Sequence, residues 1–403
     1  MNILIFSYLF PNSNFPYYGI FNLSRAKALE RAGCEVTVIA PVNLSPYMIN
    51  IFPRFRLLES IRLFKKMISI PSVEYIDGIK VYHPKWLKLP NKIFWKYHSD
   101  IMHLFIGSKI QNIIKYFNPD LIISTWLNPF AAYSVFFKKK FPIINFAIAE
   151  GSDLLIHPYV FNGWSKVEEI INENCDLVIA VSNSMKNYIE HRTNLRKVEI
   201  IRNGYDDDIF YSTGNNIKEK KRILKIISVG NFYFVKGQDI LLEAFTHLKI
   251  PMELTLVGDG PELEKCKEYV CTHHLEKIVH FIGEVPHNKL SSILCQHDVF
   301  CLPSRSEGFP AAPLEAMGCG LPVVTSNVGD MDEIIVESFN GFLFKSESSI
   351  DLAKKLTLAS LINWDKKEIS HWVANNFSWN NWAIQILEKY NDYSAKKMEQ
   401  LFV

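Results

Sequence analysis

No stretch of the sequence stays apolar for the roughly 18 residues that a membrane-spanning helix needs. The opening Met1-Asn2-Ile3-Leu4-Ile5-Phe6 carries neither the basic region nor the small-residue cleavage site of a secretion signal. Cysteine is sparse and scattered: Cys34, Cys175, Cys266, Cys271, Cys295, Cys301 and Cys319 form no Cys-x-x-Cys pair, which argues against a zinc ribbon or redox motif. A reducing cytoplasm is the expected location. Glycine fingerprints are missing too. Phe6-Ser7-Tyr8-Leu9 follows the first apolar run with no glycine, and Gly258-Asp259-Gly260 lacks the third, so a dinucleotide-dependent oxidoreductase is not expected. Metal-ligand spacing is equally thin, because His273-His274 has no third ligand in view. No metal, no cofactor and no nucleic-acid partner are expected.

What is present is a foldable chain. Its 403 residues, 48% hydrophobic and 21% charged, suit two globular domains rather than a disordered polymer. The net charge of +2 hides an asymmetry: residues 1–200 carry 23 Lys and Arg against 15 Asp and Glu, leaving 21 against 27 in the remainder. Basic and apolar residues mix in Arg54-Phe55-Arg56-Leu57-Leu58 through Arg62-Leu63-Phe64-Lys65-Lys66, in Lys92-Ile93-Phe94-Trp95-Lys96 and in Lys138-Lys139-Lys140. Each stretch reads alone as a solvated helix face; together they point to peripheral contact with an anionic bilayer.

Apolar runs alternate with helical patterns along the chain, the signature of parallel α/β architecture. In the first half they are Ile3 to Phe6, Val36 to Ala40, Lys80 to His83, Leu121 to Ser124, Ile143 to Ala147, Leu177 to Val181 and Val198 to Ile201. A second series comprises Leu224 to Val229, Glu253 to Val257, Val279 to Ile282, Val299 to Leu302 and Pro322 to Thr325. Most lack alternation, as strands buried on both faces do. The turn-rich, charged stretch Thr213-Gly214-Asn215-Asn216 to Lys218-Glu219-Lys220-Lys221-Arg222 reads as a linker. Domains are expected at 1–205 and 206–377, with the Trp-rich tail 378–403 packing back on the first. Two doubly wound sheets of this kind would face across a shared cleft.

The segment Leu302 to Val324 holds two glutamates, Glu307 and Glu315, around a helix start. Pro310 and Pro313 suit a first turn, where a missing N–H costs nothing, so the helix should begin at 309–311. Its first amides, at Ala311 and Ala312, would then face outward at a positive dipole end suited to phosphate, and Glu315, one turn in, could take a diol such as ribose. Either glutamate alone would read as a carboxylate favoured by the helix start.

In context, Ser-x-x-Glu-Gly-Phe-Pro-x-x-x-Leu-Glu-Ala-Met-x-x-Gly-x-Pro-Val-Val resembles the Glu-x7-Glu signature of retaining GT-B glycosyltransferases, glycosyltransferase family 4. Further pieces follow in order. Ile201 to Phe210 resembles that family's Asn-Gly-x-Asp-x-x-x-Phe hinge, Val229-Gly230 to Lys236-Gly237 its phosphate loop and Val257 to Pro261 its next turn. Gly329-Asp330, Glu333-Ile334-Ile335 and Asn340-Gly341-Phe342 continue the set. Pro11 to Phe21 with Gly33 to Val38 resembles its opening. Asp206 in Asp206-Asp207-Asp208 occupies the hinge motif's own position, so no metal follows from the triplet.

The resemblance covers nearly the whole chain. It implies a GT-B fold of two Rossmann-like domains and a UDP- or GDP-sugar as donor. Glu307 would lie by the transferred sugar and Lys236 would neutralise the leaving diphosphate. Gly230, Asn231, Gly308, Phe309, Pro310, Ala311, Ala312 and Glu315 would bind the donor. Gly19, Glu150 and Asp153 would stand on the acceptor side or against the donor sugar. The acceptor would be a glycan or a lipid-linked glycan, as in bacterial envelope polysaccharide assembly. An epimerase on the same fold, a phosphorylase and a binding-only relative are the alternatives, the phosphorylase lacking an identifiable lysine for a pyridoxal cofactor.

Two positions depart from the pattern. Asn231 stands where relatives carry an arginine, leaving Arg202, Arg305, or Lys236 with the helix amides to meet the phosphate charge. Glu150, in Glu150-Gly151-Ser152-Asp153, stands in the place of a histidine, and Asp153 also reads as an N-cap before Leu154-Leu155-Ile156.

Overall fold

Residues 1–44, 56–89, 91–155, 163–212, 214 and 223–399 are described by a computed structural model of the protein. Arg54 and Phe55 and nearly all of the linker at 213–222 lie outside them. The chain divides into two compact units, Met1–Arg202 with Trp382–Val403, and Asn203–Asn381. The first division thus falls inside the Arg202-Asn203-Gly204 motif.

In the first unit, β1 (Asn2–Phe6), β2 (Glu35–Ile39), β4 (Val73–Ile76), β5 (Ile79–Tyr82), β7 (Leu121–Thr125), β8 (Ile144–Ala149), β9 (Leu177–Ala180) and β10 (Val198–Ile200) form an eight-stranded sheet. Their order is β10-β9-β8-β7-β1-β2-β5-β4, and β3 (Val42–Asn43) pairs separately with β6 (Lys85–Trp86). Strands β1, β7 and β8 are buried almost throughout, which is why their sequences do not alternate. One edge breaks the parallel rule: β4 runs antiparallel to β5, with Val73 opposite Tyr82.

The second unit is built on β11 (Leu224–Val229), β12 (Met252–Val257), β13 (Val279–Gly283), β14 (Val299–Leu302), β15 (Val323–Ser326) and β16 (Gly341–Phe344). All pairs are parallel, in the order β13-β12-β11-β14-β15-β16. This is the third-second-first-fourth-fifth-sixth order of a dinucleotide-type sheet, with its topological switch between β11 and β14. Ile226, Leu254, Val299 and Val324 pack with Leu241, Leu352 and Leu356 of the covering helices into one core cluster. The helix Ser349–Leu361 begins where Ser348 Oγ accepts the Asp351 amide, 3.3 Å away.

Among the described residues no helix is long and apolar enough to cross a membrane, and no group of three or more His, Cys, Asp or Glu could hold a metal ion.

Candidate active site

At the carboxyl ends of β11, β12, β14 and β15 the loops approach so closely that glycine is required. A Cβ on Gly237, which has φ +68°, would stand 2.0 Å from the Pro303 carbonyl oxygen. One on Gly258, at φ +132°, would stand 2.2 Å from the Gly230 carbonyl oxygen. Gly329 likewise leaves no room beside Pro310 and Glu307. The sequence therefore folds the β11 loop (Gly230 to Gly237) onto the β14 loop (Pro303 to Pro310) across the switch point.

Two side chains meet there. Lys236 Nζ donates to Glu307 Oε1 at 2.7 Å, and Ser304 Oγ donates to the same oxygen at 2.7 Å. Lys236 sits at the end of a single 3-10 turn, Phe234–Lys236, that Gly237 closes in the left-handed region. Glu307 is mostly buried and Lys236 half-buried.

The helix Ala311–Gly318 starts after Pro310, within the range expected from its prolines. Ala311 is exposed and Ala312 partly so, while Pro313, Leu314 and Met317 are buried. Free amides and the positive dipole end therefore lie a few residues beyond Glu307. One turn inside, Glu315 Oε1 accepts a hydrogen bond from His287 Nε2 at 2.9 Å. A carboxylate only accepts, so the imidazole carries its proton on Nε2. Phe210 stands edge-on to the ring with centroids 5.0 Å apart, and Nδ1 is buried without a hydrogen-bond partner. Burial alone would lower the affinity of His287 for a proton; the hydrogen bond and charge of Glu315, with the charge of Asp206, outweigh it and raise the pKa. His287 was not singled out from the sequence. Gly283-Glu284-Val285-Pro286-His287 offers no motif, and its partner lies 28 positions away.

Of the two arginines considered as substitutes at Asn231, Arg305 is engaged elsewhere. It makes a fork with both carboxylate oxygens of Asp239, at 2.9 and 2.7 Å, and lies 3.9 Å over the Phe234 ring. Asn231 itself is exposed, beside Gly230 on the same loop.

In the first unit the three residues expected to meet substrate take more structural parts. Gly19, at φ +71°, caps the helix Ile20–Arg31 and lies so near the Leu9 backbone that a Cβ would fall 2.5 Å from its carbonyl carbon. Glu150 closes on Arg25, with Oε1 2.5 Å from Nη1, and both side chains are nearly inaccessible. Arg25 is further bound to Asn22 and lies 5.5 Å from the Trp382 ring. A glutamate in the histidine's place is thus explained locally: a buried guanidinium needs a carboxylate.

Asp153 corrects two expectations. Its Oδ2 accepts the Leu127 amide and its Oδ1 the amides of Glu150 and Gly151, at 2.9 to 3.0 Å. It is fully buried, within the first turn of Ser152–Leu155 rather than before it. Burial pushes its carboxyl up to about 7. It ties β7 to β8 and is neither an open acceptor ligand nor an N-cap.

Comparison with known proteins follows the same division of the chain. A sequence model described as Glycosyltransferase Family 4 matches residues 20–209, and one described as Glycosyl transferases group 1 matches 207–375. An uncharacterised glycosyltransferase of Methanocaldococcus jannaschii is 29% identical over 303 residues, covering 73% of this chain and 82% of that protein. A Bacillus subtilis protein, whose name assigns it to teichuronic acid biosynthesis as a glycosyltransferase, is 24% identical over 89% of this chain and 88% of its own. Among solved structures, Anabaena HepE in complex with UDP superposes with a TM-score of 0.68 at 18% identity, covering 97% of this chain and 100% of that one.

Proposed function

For this chain, which belongs to the GT-B glycosyltransferases of family 4 type, we propose that the enzyme transfers a sugar with retention from a UDP- or GDP-sugar to a glycan or lipid-linked acceptor in bacterial envelope polysaccharide synthesis. The observation that carries the donor half is the Lys236–Glu307 contact across the β11/β14 switch point, a few residues before the helix start at exposed Ala311 and partly exposed Ala312. In this reading the diphosphate lies on those amides and Lys236, with Gly230, Asn231, Gly308, Phe309 and Pro310 around it. Glu315 holds the ribose diol, and Glu307 lies by the sugar. The bond between the anomeric carbon and the phosphate oxygen breaks, and the diphosphate leaves with the electron pair. The acceptor hydroxyl bonds to that carbon on the same face and gives its proton to a leaving phosphate oxygen. Negative charge building on the leaving group is met by an ammonium and preorganised amides, the kind of donor whose loss costs about 3 to 4 kcal/mol of barrier. No metal is needed.

UDP in the HepE structure and the teichuronic acid name of the Bacillus relative support the donor and pathway parts of this reading. Peripheral membrane contact has support in the helix Arg56–Ser69. Ile61, Phe64 and Ile68 are exposed there at helical spacing, among exposed Arg62, Lys65 and Lys66.

The test is a panel of UDP-, GDP-, ADP- and dTDP-sugars incubated with purified protein and membrane extract, with nucleotide release followed by mass spectrometry. One donor should be turned over. Glu315→Ala should weaken nucleotide binding, while Lys236→Ala should slow transfer about a hundredfold or more with binding less affected. Binding without release for every donor would favour a binding-only protein, and unchanged activity in both variants would sink the site assignment.

A further inference from the structure

Two cysteines that the donor chemistry does not use stand at the ends of the two helices that carry His287 and Glu315. Cys295 ends the helix His287–Leu294, and Cys319 ends the helix Ala311–Gly318. Cys295 is exposed, whereas Cys319 is buried. The Cys319 sulfur rests against the last turn of the neighbouring helix, 3.6 Å from Ser291 Oγ and 3.9 Å from the Ser291 carbonyl oxygen. That same carbonyl accepts the Cys295 amide at 3.0 Å. Residues four apart share a helix face, so the buried sulfur of one helix lies beside the face from which the exposed cysteine of the other projects.

The two thiols differ in a way that gives each a role. Hydrogen bonding to Cys319 lowers the pKa of Cys295 against the opposing effect of burial, and the charge of Lys366 adds to it. The same hydrogen bond, with burial, raises the pKa of Cys319 and keeps it protonated. An accessible thiolate is the sulfur that meets an oxidant first.

We propose that Cys295 and Cys319 are an oxidation-sensing pair that peroxide converts to a reversible disulfide, Cys295 reacting first and Cys319 resolving it, and that the cross-link weakens nucleotide binding. The Cys295 thiolate bonds to one oxygen of hydrogen peroxide, the O–O bond breaks, and hydroxide leaves with the electron pair. Cys295 is now a sulfenic acid. The Cys319 sulfur then bonds to the Cys295 sulfur as the S–O bond breaks, and the departing hydroxide takes the Cys319 proton as water. Two thiols are oxidised and one peroxide is reduced to two waters. A dithiol reverses the bond by exchange. In a reducing compartment such a pair is oxidised only transiently, as a sensor is.

The link to nucleotide lies in the helix itself. The Cys319 amide donates to the Glu315 carbonyl oxygen at 3.1 Å, which places Glu315 one turn before the sulfur. A covalent bond is shorter than a contact between thiols, so oxidation draws the two helix ends together and shifts Glu315 relative to His287. This half rests on the donor reading of Glu315; the disulfide does not.

The test titrates the full chain with hydrogen peroxide, followed by intact mass and peptide mapping. The protein should lose two hydrogens, yield a cross-linked peptide containing Cys295 and Cys319, and revert with dithiothreitol. Cys319→Ser should leave a sulfenic acid on Cys295 that dimedone traps, with Cys319→Ala as the second choice at this buried position should serine fail to fold; Cys295→Ser should abolish both products. Iodoacetamide should alkylate Cys295 severalfold faster than Cys271, which is also exposed. By calorimetry the oxidised protein should bind its nucleotide, UDP or GDP, about tenfold more weakly, the loss of one hydrogen bond to a charged group, and dithiothreitol should restore the affinity. Peroxide joining a different pair of cysteines, or a sulfenic acid on Cys271 instead of Cys295, would overturn the proposal. Unchanged affinity in fully cross-linked protein would overturn its nucleotide half. Nucleotide bound by neither form would remove the donor reading and the nucleotide half with it, while the peptide map decides the thiol pair by itself.

Discussion

His287 donates to a glutamate that is expected to hold the donor ribose, and this gives the site a built-in acid dependence. Its folded pKa is raised by Glu315 and Asp206 against the opposing effect of burial. The contribution is therefore complete below the ordinary imidazole value of about 6.5 and fades as pH rises through the higher folded value. We expect His287→Gln to cost about 1 kcal/mol at pH 6 and to flatten the fall in stability between pH 6 and 8, read by urea unfolding across that range. An unchanged slope would show that the pair does not titrate. Residues such as this were the least legible part of the sequence. Glu307, Glu315 and Lys236 stand out in the sequence because each sits beside prolines or glycines in a segment that resembles a family motif, and it is the resemblance that implies their roles. His287 and Glu315, like Arg25 and Glu150 125 positions apart, are partners that only the tertiary fold introduces, and no local spacing encodes them. Asp153 misled for a related reason: an acid at a helix start looks open until the amides of Leu127, Glu150 and Gly151 are seen to converge on it.

Elements were read more faithfully than residues, and the exceptions have a physical pattern. Strands buried on both faces, such as Leu121–Thr125 and Ile144–Ala149, announce themselves as unbroken Val, Ile, Leu and Phe. Besides the two-residue strands Val42–Asn43 and Lys85–Trp86, two strands with other demands go unread. Val73–Ile76 is an exposed antiparallel edge with Glu74 in its middle, and Gly341–Phe344 opens on a glycine whose Cβ would collide with the Val323 carbonyl oxygen. The helix Ala311–Gly318 was placed correctly because proline fixes where a helix can begin. What holds the β11 and β14 loops together is Gly237, and alanine there should be costly twice over. The left-handed backbone alone costs a side chain on the order of 2 kcal/mol, and the contact with Pro303 O must open as well. Since Lys236 immediately precedes it, a shift of about 1 Å should lower transfer about a hundredfold. Wild-type kcat in a Gly237→Ala protein would show that the loop contact does not set the position of Lys236.

At the scale of the whole chain, the first unit is assembled from both ends of the sequence, with the second unit inserted between them. The helix Trp379–Glu399 returns the chain, and from Trp382 onward its residues belong to the first unit. Trp382 is buried, with Arg25 over its ring, and Phe146 of β8 packs edge-on against Tyr393. Trp382→Ala should therefore destabilise the first unit by about 3 to 5 kcal/mol while the nucleotide affinity of the second unit stays within a fewfold, a contrast read by differential melting with and without UDP. Equal loss in both would mean that the tail supports the whole molecule rather than one part. The same architecture sets an order of events during synthesis. Arg25 and Phe146 leave the ribosome before the second unit does, and Trp382 and Tyr393, which complete their surroundings, leave it only after. A stop codon introduced at 382 would spare the β11 and β14 loops and the Arg25–Glu150 pair, yet it would bare the sides of Arg25 and Phe146 that Trp382 and Tyr393 cover, so a late nonsense mutation should be cleared by proteolysis much as an early one is.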